Sequence, residues 1–366
     1  MPIHQLSVTG VRNLQPVTLF FSPRINLFYG HNGSGKSSLL EAIYFLSLAR
    51  SFRSNKAQSL IQNEQTECTV FATSGNSDAP DRIGVRRTRQ GDFEARLNGE
   101  NLKTLASLAR NLPLQLLNSD SFLLLEGSPK FRRQFLDWGV FHVEQSFHTQ
   151  WNRMQTSLKQ RNTWLRHAIM DTQLLAAWDK EFCAASEHID YTRQQYISQL
   201  KPIFQRTLST LIDLPELTIS YYRGWDKEKD LQSVLQSSIE RDRALGYTQA
   251  GPQRADIRIR IGNSNATEVL SRGQQKLVVC ALKLAQGYML AQHKQTQCIF
   301  LIDDLPAELD AQHRQALGRL LEELDCQAFI TGTDKDILLE GWHKETPLAM
   351  FHVEHGRINL VEQTDE

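Results

Sequence analysis

Gly30-His31-Asn32-Gly33-Ser34-Gly35-Lys36-Ser37 has the spacing GxxxxGK[ST] of a loop that cradles phosphate. Glycines let a backbone curl until successive N–H groups point at anionic oxygens. Lys36 can reach the β- and γ-phosphates of ATP, and the Ser37 hydroxyl can ligate Mg²⁺. Context makes the motif meaningful. Ile25-Asn26-Leu27-Phe28-Tyr29 before it reads as a short buried strand. Ser38 to Leu46 after it reads as an amphipathic helix, whose N-terminus adds a positive dipole end. Gly30 through Ser38 are therefore the expected nucleotide contacts.

Two further segments fit the same chemistry. Cys298 to Ile302 is an apolar run that ends in Asp303-Asp304. Phosphoryl transfer uses such a pair, one acid to hold Mg²⁺ and the next to polarise an attacking water. Taken alone, the pair equally fits a solvated acidic turn. Leu270-Ser271-Arg272-Gly273-Gln274-Gln275-Lys276 precedes a helical pattern. Ser271 is a plausible N-cap, and Gly273 would let a phosphate approach the helix start. A plain helix cap is the alternative. One nucleotide does not need two anion-binding loops from one chain, whereas a dimer that sandwiches ATP does.

These groups need a rigid frame. Residues 3–9 and 16–21 alternate as strands around a turn at Arg12-Asn13-Leu14. Residues 66–74, 81–89 and 92–98 read as antiparallel strands, broken at Ser74 to Asp78 and at Gly91-Asp92. A strand is expected at 113–117. From about 129 to 210 helical periodicity dominates, with tryptophans at 138, 151, 164 and 178 that read as core residues. A strand at 217–222 and a polar helix at 230–243 follow. Strand 257–262, helix 274–292, the acidic strand, helix 311–324 and strand 327–331 restore an α/β pattern. Near-continuous apolar strands alternating with helices predict a sheet covered on both faces. The expected fold is α/β, a P-loop sheet core with an antiparallel β subdomain and a helical insertion lobe. Residues 1–125 and 250–366 would form the two halves of one head, and 126–249 the lobe.

Composition narrows the partners. The 366 residues carry 41 basic and 41 acidic side chains, so any DNA contact must be a local patch. Arg82, Arg86, Arg87 and Arg89 cluster on one expected strand, and Lys130, Arg132 and Arg133 open the helical region. Arg50, Arg53 and Lys56 follow the first helix, where Arg53 could instead serve nucleotide or core packing. Fixed cations neutralise phosphates without reading sequence, although solvated surface charge fits each arginine as well. Five cysteines, widely spaced and without CxxC, argue for a reducing compartment and against a zinc site. No run of about 18 apolar residues predicts a membrane span, and the start lacks signal-peptide regions. A cytoplasmic protein is expected.

The order of phosphate loop, Ser271-Gly273-Gln274 loop and acidic strand resembles an ABC-type ATPase head of the SMC-like class. That resemblance implies metal binding by Asp303 and water activation by Asp304, a position where the class normally has Glu. It implies that Ser271, Gly273 and Gln274 contact the nucleotide of a second subunit, and that Asp310 is a dimer contact. Within the class, the chain is similar to the RecF family of bacterial recombination-repair ATPases. The matching segments run nearly end to end: Arg12-Asn13-Leu14, Glu41-Ala42-Ile43-Tyr44, Arg50-Ser51-Phe52-Arg53, Gly127-Ser128-Pro129, Arg132 to Trp138, Gly251-Pro252 and Glu308-Leu309-Asp310. About 230 residues separate the two loops without sustained heptads, unlike the long SMC coiled coils. Ala307, Gln253 and Ser119 depart from the family pattern. No histidine follows the strand at 327–331, and Thr333 lies near the switch position. Gln115 and Asn118 are the candidates for a glutamine-loop residue.

Family resemblance implies an ATP-induced homodimer that binds duplex, gapped or junction DNA. With RecO and RecR it would promote RecA loading, and slow, DNA-stimulated hydrolysis would act as a release switch. Other readings are an SMC-class structural head, an ABC transporter ATPase and a metabolic P-loop kinase. RecR binding, membrane co-purification and phosphorylation of a small acceptor would distinguish them.

Overall fold

The computed structural model describes residues 2–54, 56–76, 78–102, 104–167, 172–294, 297–304 and 309–364. They divide into two compact units, 1–121 with 280–366, and 122–279. The expected family segment at Ala307 and Glu308 lies outside the described residues.

The first unit is built on a six-stranded mixed sheet. Its order runs Arg357–Thr364, Leu348–Glu354, Ile25–Tyr29, Ala328–Gly332, Ile299–Ile302, Leu114–Leu117. Only the first pair is antiparallel. Ile299–Ile302 and Ala328–Gly332 are buried at every position, as strands covered on both faces must be. Phe21, Phe28, Phe329 and Phe351 pack across them, with Phe28 stacked on Phe351 at 4.8 Å and Phe21 edge-on to Phe329 at 4.8 Å. Each such ring contributes about 1.5–3 kcal/mol by leaving water.

A second six-stranded sheet is antiparallel throughout, in the order Val17–Phe20, Ile3–Thr9, Glu67–Asn76, Ala79–Thr88, Phe93–Leu97, Glu100–Asn101. Helix Lys36–Leu48 joins the two sheets. Its Leu39, Ile43 and Leu46 share one hydrophobic cluster with Val70 and Val85 of this sheet and with Phe28 and Phe329 of the mixed one.

The second unit carries helices Pro129–Val143, Phe147–Leu165 and Thr172–Leu211 and a three-stranded sheet, Leu217–Tyr222, Asp256–Ile261 and Ser264–Asn265. Its interior is partly ionic. Fully buried Arg161 bonds Asp179 at 2.7 Å and Asp242 at 2.9 Å, and buried Arg193 grips Asp137 through both carboxylate oxygens at 2.8 and 3.0 Å.

Several expectations change. The polar helix at 230–243 is two helices, Leu231–Ser237 and Ile239–Leu245, because Ser238 leaves helical geometry between them. The hairpin expected to break at Ser74 continues as strand to Asn76 and resumes at Ala79. Trp138, Trp151, Trp164 and Trp178 are half-buried rather than core. Large indoles are seldom fully enclosed, and Met154, Leu158 and Phe182 fill that interior instead. Strands Leu348–Glu354 and Arg357–Thr364 were not expected from the sequence. The apolar run from Leu348 to Val353 and the His355-Gly356 turn were their signal.

Candidate nucleotide-binding site

Strand register places the chemistry at one sheet edge. Tyr29 lies opposite Gly332, Ile330 opposite Ile302, and Ile302 opposite Leu117. The phosphate loop leaves the sheet after Tyr29, and Asp303-Asp304 leave it after Ile302. Both therefore emerge at the carboxyl ends of parallel strands, where ligands bind in open α/β sheets.

The loop geometry explains its glycines. Gly30 has φ 153, and a Cβ there would come 2.1 Å from the Val353 carbonyl oxygen. Gly35 has φ 122, and a Cβ would sit 3.1 Å from Leu14. Helix Lys36–Leu48 starts immediately after, with no side-chain cap on its first N–H groups. Those donors and the dipole end are available to an anion. Lys36 is buried and its Nζ donates to the Gly30 and His31 carbonyls at 2.7 and 3.1 Å, so the cation stands inside the loop's own curl. His31, Asn32 and Gly33 are exposed.

Ser37 Oγ donates to Asp303 Oδ1 at 2.9 Å. Asp304 has φ 54 and lines the same open cleft of about 670 Å³ as Lys36, Ser37, Ser38 and Arg53. The residues expected to hold phosphate, metal and water are thus brought together. A hydroxyl and a carboxylate are hard oxygen donors of the kind Mg²⁺ takes, and Mg²⁺ commonly uses one or two carboxylates together with substrate phosphates. Among the described residues no group of three or more His, Cys, Asp or Glu converges, so an ion at Ser37 and Asp303 would draw its other ligands from phosphate and water. The residues fit the ion.

Three features of the cleft were missed in the sequence. Asn13 Nδ2 donates to the Gly33 carbonyl at 3.0 Å, and Asn13 Oδ1 accepts from Ser38 Oγ at 2.8 Å. The turn at Arg12-Asn13-Leu14 is therefore part of the loop's scaffold. The segment Ser59 to Glu64 forms a further wall of the cleft. Thr331, inside a strand, hydrogen-bonds both Asp303 and Asp304. Of the three, only the Arg12-Asn13-Leu14 turn is marked in the sequence, as a matching segment with no role at the loop.

In the second unit, Ser271 and Gln274 form a reciprocal cap at the start of helix Arg272–Lys294. The Ser271 N–H donates to Gln274 Oε1 at 2.9 Å and the Gln274 N–H to Ser271 Oγ at 3.3 Å. Ser271 and Gly273 are exposed, and a Cβ at Gly273 would meet nothing within 4 Å. Asp310 caps helix Ala311–Glu323, accepting the His313 N–H at 3.0 Å. That backbone bond, then the His313 side chain, hold its carboxyl below the usual carboxylate range.

Gln115 faces away from this chemistry. It is buried, donating to Gln286 at 2.9 Å and accepting from Lys283 Nζ at 3.2 Å. Asn118 is held in a tight turn by Ser121. Thr333 is exposed beyond the strand.

The profile described as the RecF/RecN/SMC N terminal domain matches residues 2–359. The DNA replication and repair protein RecF of Pseudomonas syringae pv. syringae (strain B728a) is 60% identical over 363 residues, covering 98% of either chain. The chain belongs to the RecF family. A second relative of that name, from Stutzerimonas stutzeri (strain A1501), is 59% identical over 365 residues, covering 99% of this chain and 98% of that one. Among solved structures, the recombination mediator protein RecF-ATP in the RecFOR pathway superposes with TM-score 0.86 at 25% identity, over 99% of this chain and 98% of that one. An Smc head bound to the C-winged helix domain of ScpA shares the fold at TM-score 0.57 and 17% identity, over 99% of this chain and 97% of that one. This is accordingly a RecF-family DNA replication and repair protein with an SMC-like ATPase-head fold.

In this RecF-family chain the arginines of the antiparallel sheet do not share one face. Strand alternation sends Arg82 and Arg86 to the solvent side and Arg87 to the other, where its Nη1 donates to the Ala49 carbonyl at 2.8 Å. Arg89 clasps the carbonyls of Gln62, Asn63 and Gln65 at 2.6–2.8 Å. Arg132 is bidentate to Asp256 at 2.7 and 3.1 Å, and Arg133 donates to the Ala255 carbonyl at 2.9 Å. Burial pulls the Arg133 pKa down. Lys130, Arg50, Arg53 and Lys56 are exposed. Among the described residues no helix is long and apolar enough to cross a membrane.

Proposed function

We propose that this RecF-family protein binds MgATP in the cleft of the first unit, closes as a homodimer around it, and holds DNA while closed. The observation that carries this reading is that Lys36, Ser37 and Asp304 line one cleft, with Asp303 hydrogen-bonded to Ser37 at its wall. Lys36 and the N–H groups of the loop bind the phosphates. Ser37 and Asp303 hold Mg²⁺, which when bound neutralises charge on the transferring phosphate. Asp304 orients and deprotonates the attacking water, so that slow hydrolysis ends the closed state. Exposed Ser271 and Gly273, with half-buried Gln274, give a second phosphate-recognising helix start, offered to the partner's nucleotide, and Asp310 lies in the dimer contact.

DNA is duplex, gapped or junction DNA, contacted through its phosphates. Arg82, Arg86 and Lys130 are the best-placed cations for that. Arg87, Arg89, Arg132 and Arg133 serve the fold. The bound complex works with RecO and RecR to load RecA. The protein acts in the cytoplasm, in keeping with five cysteines that are all free and buried.

Light scattering with and without MgATP and gapped DNA tests the reading. The wild type is expected to double in mass with ATP, and Ser271→Arg to bind ATP but stay monomeric. ATP binding without any change in mass, at concentrations well above those that saturate the site, would sink the sandwich.

A further inference from the structure

Asp303 and Asp304 are both hydrogen-bonded by one hydroxyl from a neighbouring strand. Thr331 lies in Ala328–Gly332, between the phosphate-loop strand and the acidic strand, and is 0% exposed. Its Oγ1 donates to Asp303 Oδ1 at 2.8 Å and accepts the Asp304 N–H at 2.9 Å. A threonine hydroxyl has a single proton, so giving it to the carboxylate leaves a lone pair for the amide. Both bonds are made at once. Asp304 needs the second one. Its φ of 54 lies in the left-handed region, which disfavours any residue with a Cβ. Ser37 Oγ also donates to Asp303 Oδ1, at 2.9 Å. With Mg²⁺ bound, the Ser37 hydroxyl would be taken up by the ion, which would leave Thr331 as the donor that keeps the carboxylate aimed.

We propose that Thr331 is a positioning residue of the nucleotide site, aiming the Asp303 carboxylate and locking the left-handed turn that carries Asp304. The inference rests on the reading of the cleft as a MgATP site. Outer hydrogen bonds of this kind tune metal affinity by fixing ligand orientation.

Binding of a fluorescent ATP analogue, titrated with Mg²⁺, tests it on the full chain. Thr331→Val keeps the shape and removes the hydroxyl. It is expected to raise the Mg²⁺ concentration for half-saturation about 10–100-fold, with binding in EDTA unchanged. Thr331→Ser keeps the hydroxyl and is expected to restore the wild-type titration. A valine variant that titrates like the wild type overturns the inference, as does a serine variant as weak as valine, since the methyl group would then be what matters. Should Thr331→Val fail to fold, the same titration compares Asp304→Gly with the Asp304→Gly/Thr331→Val pair, because glycine adopts the left-handed turn unaided. The same Mg²⁺ shift there supports the proposal. No shift, or a pair that still does not fold, makes Thr331 a packing residue and overturns it. A wild type without Mg²⁺-dependent ATP binding instead overturns the nucleotide-site reading itself.

Discussion

Arg12 grips Glu41 through two parallel hydrogen bonds of 2.8 Å, Nε to one carboxylate oxygen and Nη2 to the other. Glu41 is 0% exposed on the helix that follows the phosphate loop, and Ser51 donates to it as well. The pair ties the turn that carries Asn13 to the helix whose start faces phosphate. Removing one partner strands a buried charge. Arg12→Ala should therefore cost about 3–5 kcal/mol, read as a lower denaturant midpoint. Arg12→Met with Glu41→Leu should recover most of that loss. A cost near that of an exposed pair, about 0–1 kcal/mol, would show that Glu41 is solvated in the single variant.

Binding and chemistry should separate between two residues of the cleft. Lys36→Met removes the cation held inside the loop and should abolish ATP binding. Asp304→Asn should still bind ATP and lose turnover by about 10²–10⁴-fold if it acts as general base, so a long-lived ATP dimer accumulates. Equilibrium binding and single-turnover hydrolysis check the two together. Wild-type turnover in Asp304→Asn would move the base elsewhere.

The arginines of the antiparallel sheet should divide by face. Arg82→Ala with Arg86→Ala should weaken duplex binding equally for unrelated sequences and flatten the log–log salt slope by about 0.9 for each phosphate no longer neutralised. Arg87→Ala with Arg89→Ala should lower thermal stability instead, because both side chains satisfy backbone carbonyls. Fluorescence anisotropy over a salt series and a thermal melt of each pair decide it. An unaltered slope in the first pair would leave Lys130 as the next candidate.

Lys283 should make stability depend on alkaline pH. Its amine is buried against Gln115, and burial brings its pKa down to about 8. Unfolded lysine titrates near 10.4. Between those values the unfolded chain binds the extra proton, so stability should rise with pH from about 8 to about 10.4. Below about pH 8 both states are charged and the slope vanishes. Lys283→Met should remove this rise, giving melting temperatures whose difference from wild type shrinks as pH increases through that window. Parallel curves for the two proteins would mean that the amine is hydrated in the folded state.

Much of the site could be read directly from the chain, because short-range rules govern it. The phosphate loop needs its glycines and lysine at fixed spacing, so its sequence is nearly its structure. The acidic strand and the Ser271 cap likewise follow from a buried apolar run and from local capping chemistry. What tertiary structure decided were relationships between distant segments. Strand order set Thr331 beside Asp303, and the mixed sheet's register brought two loops some 270 positions apart to one edge. Arg12 and Glu41 each stood out as part of a motif, yet only packing showed that they bond each other. The basic residues illustrate the converse. Four arginines within eight positions of sequence look like one patch, but a pleated strand sends neighbours to opposite faces, and backbone carbonyls claimed Arg87 and Arg89. Spacing along a chain fixes what a loop can do to a phosphate; which side chains share a site depends on how strands pair, and pairing is settled by the burial of whole faces.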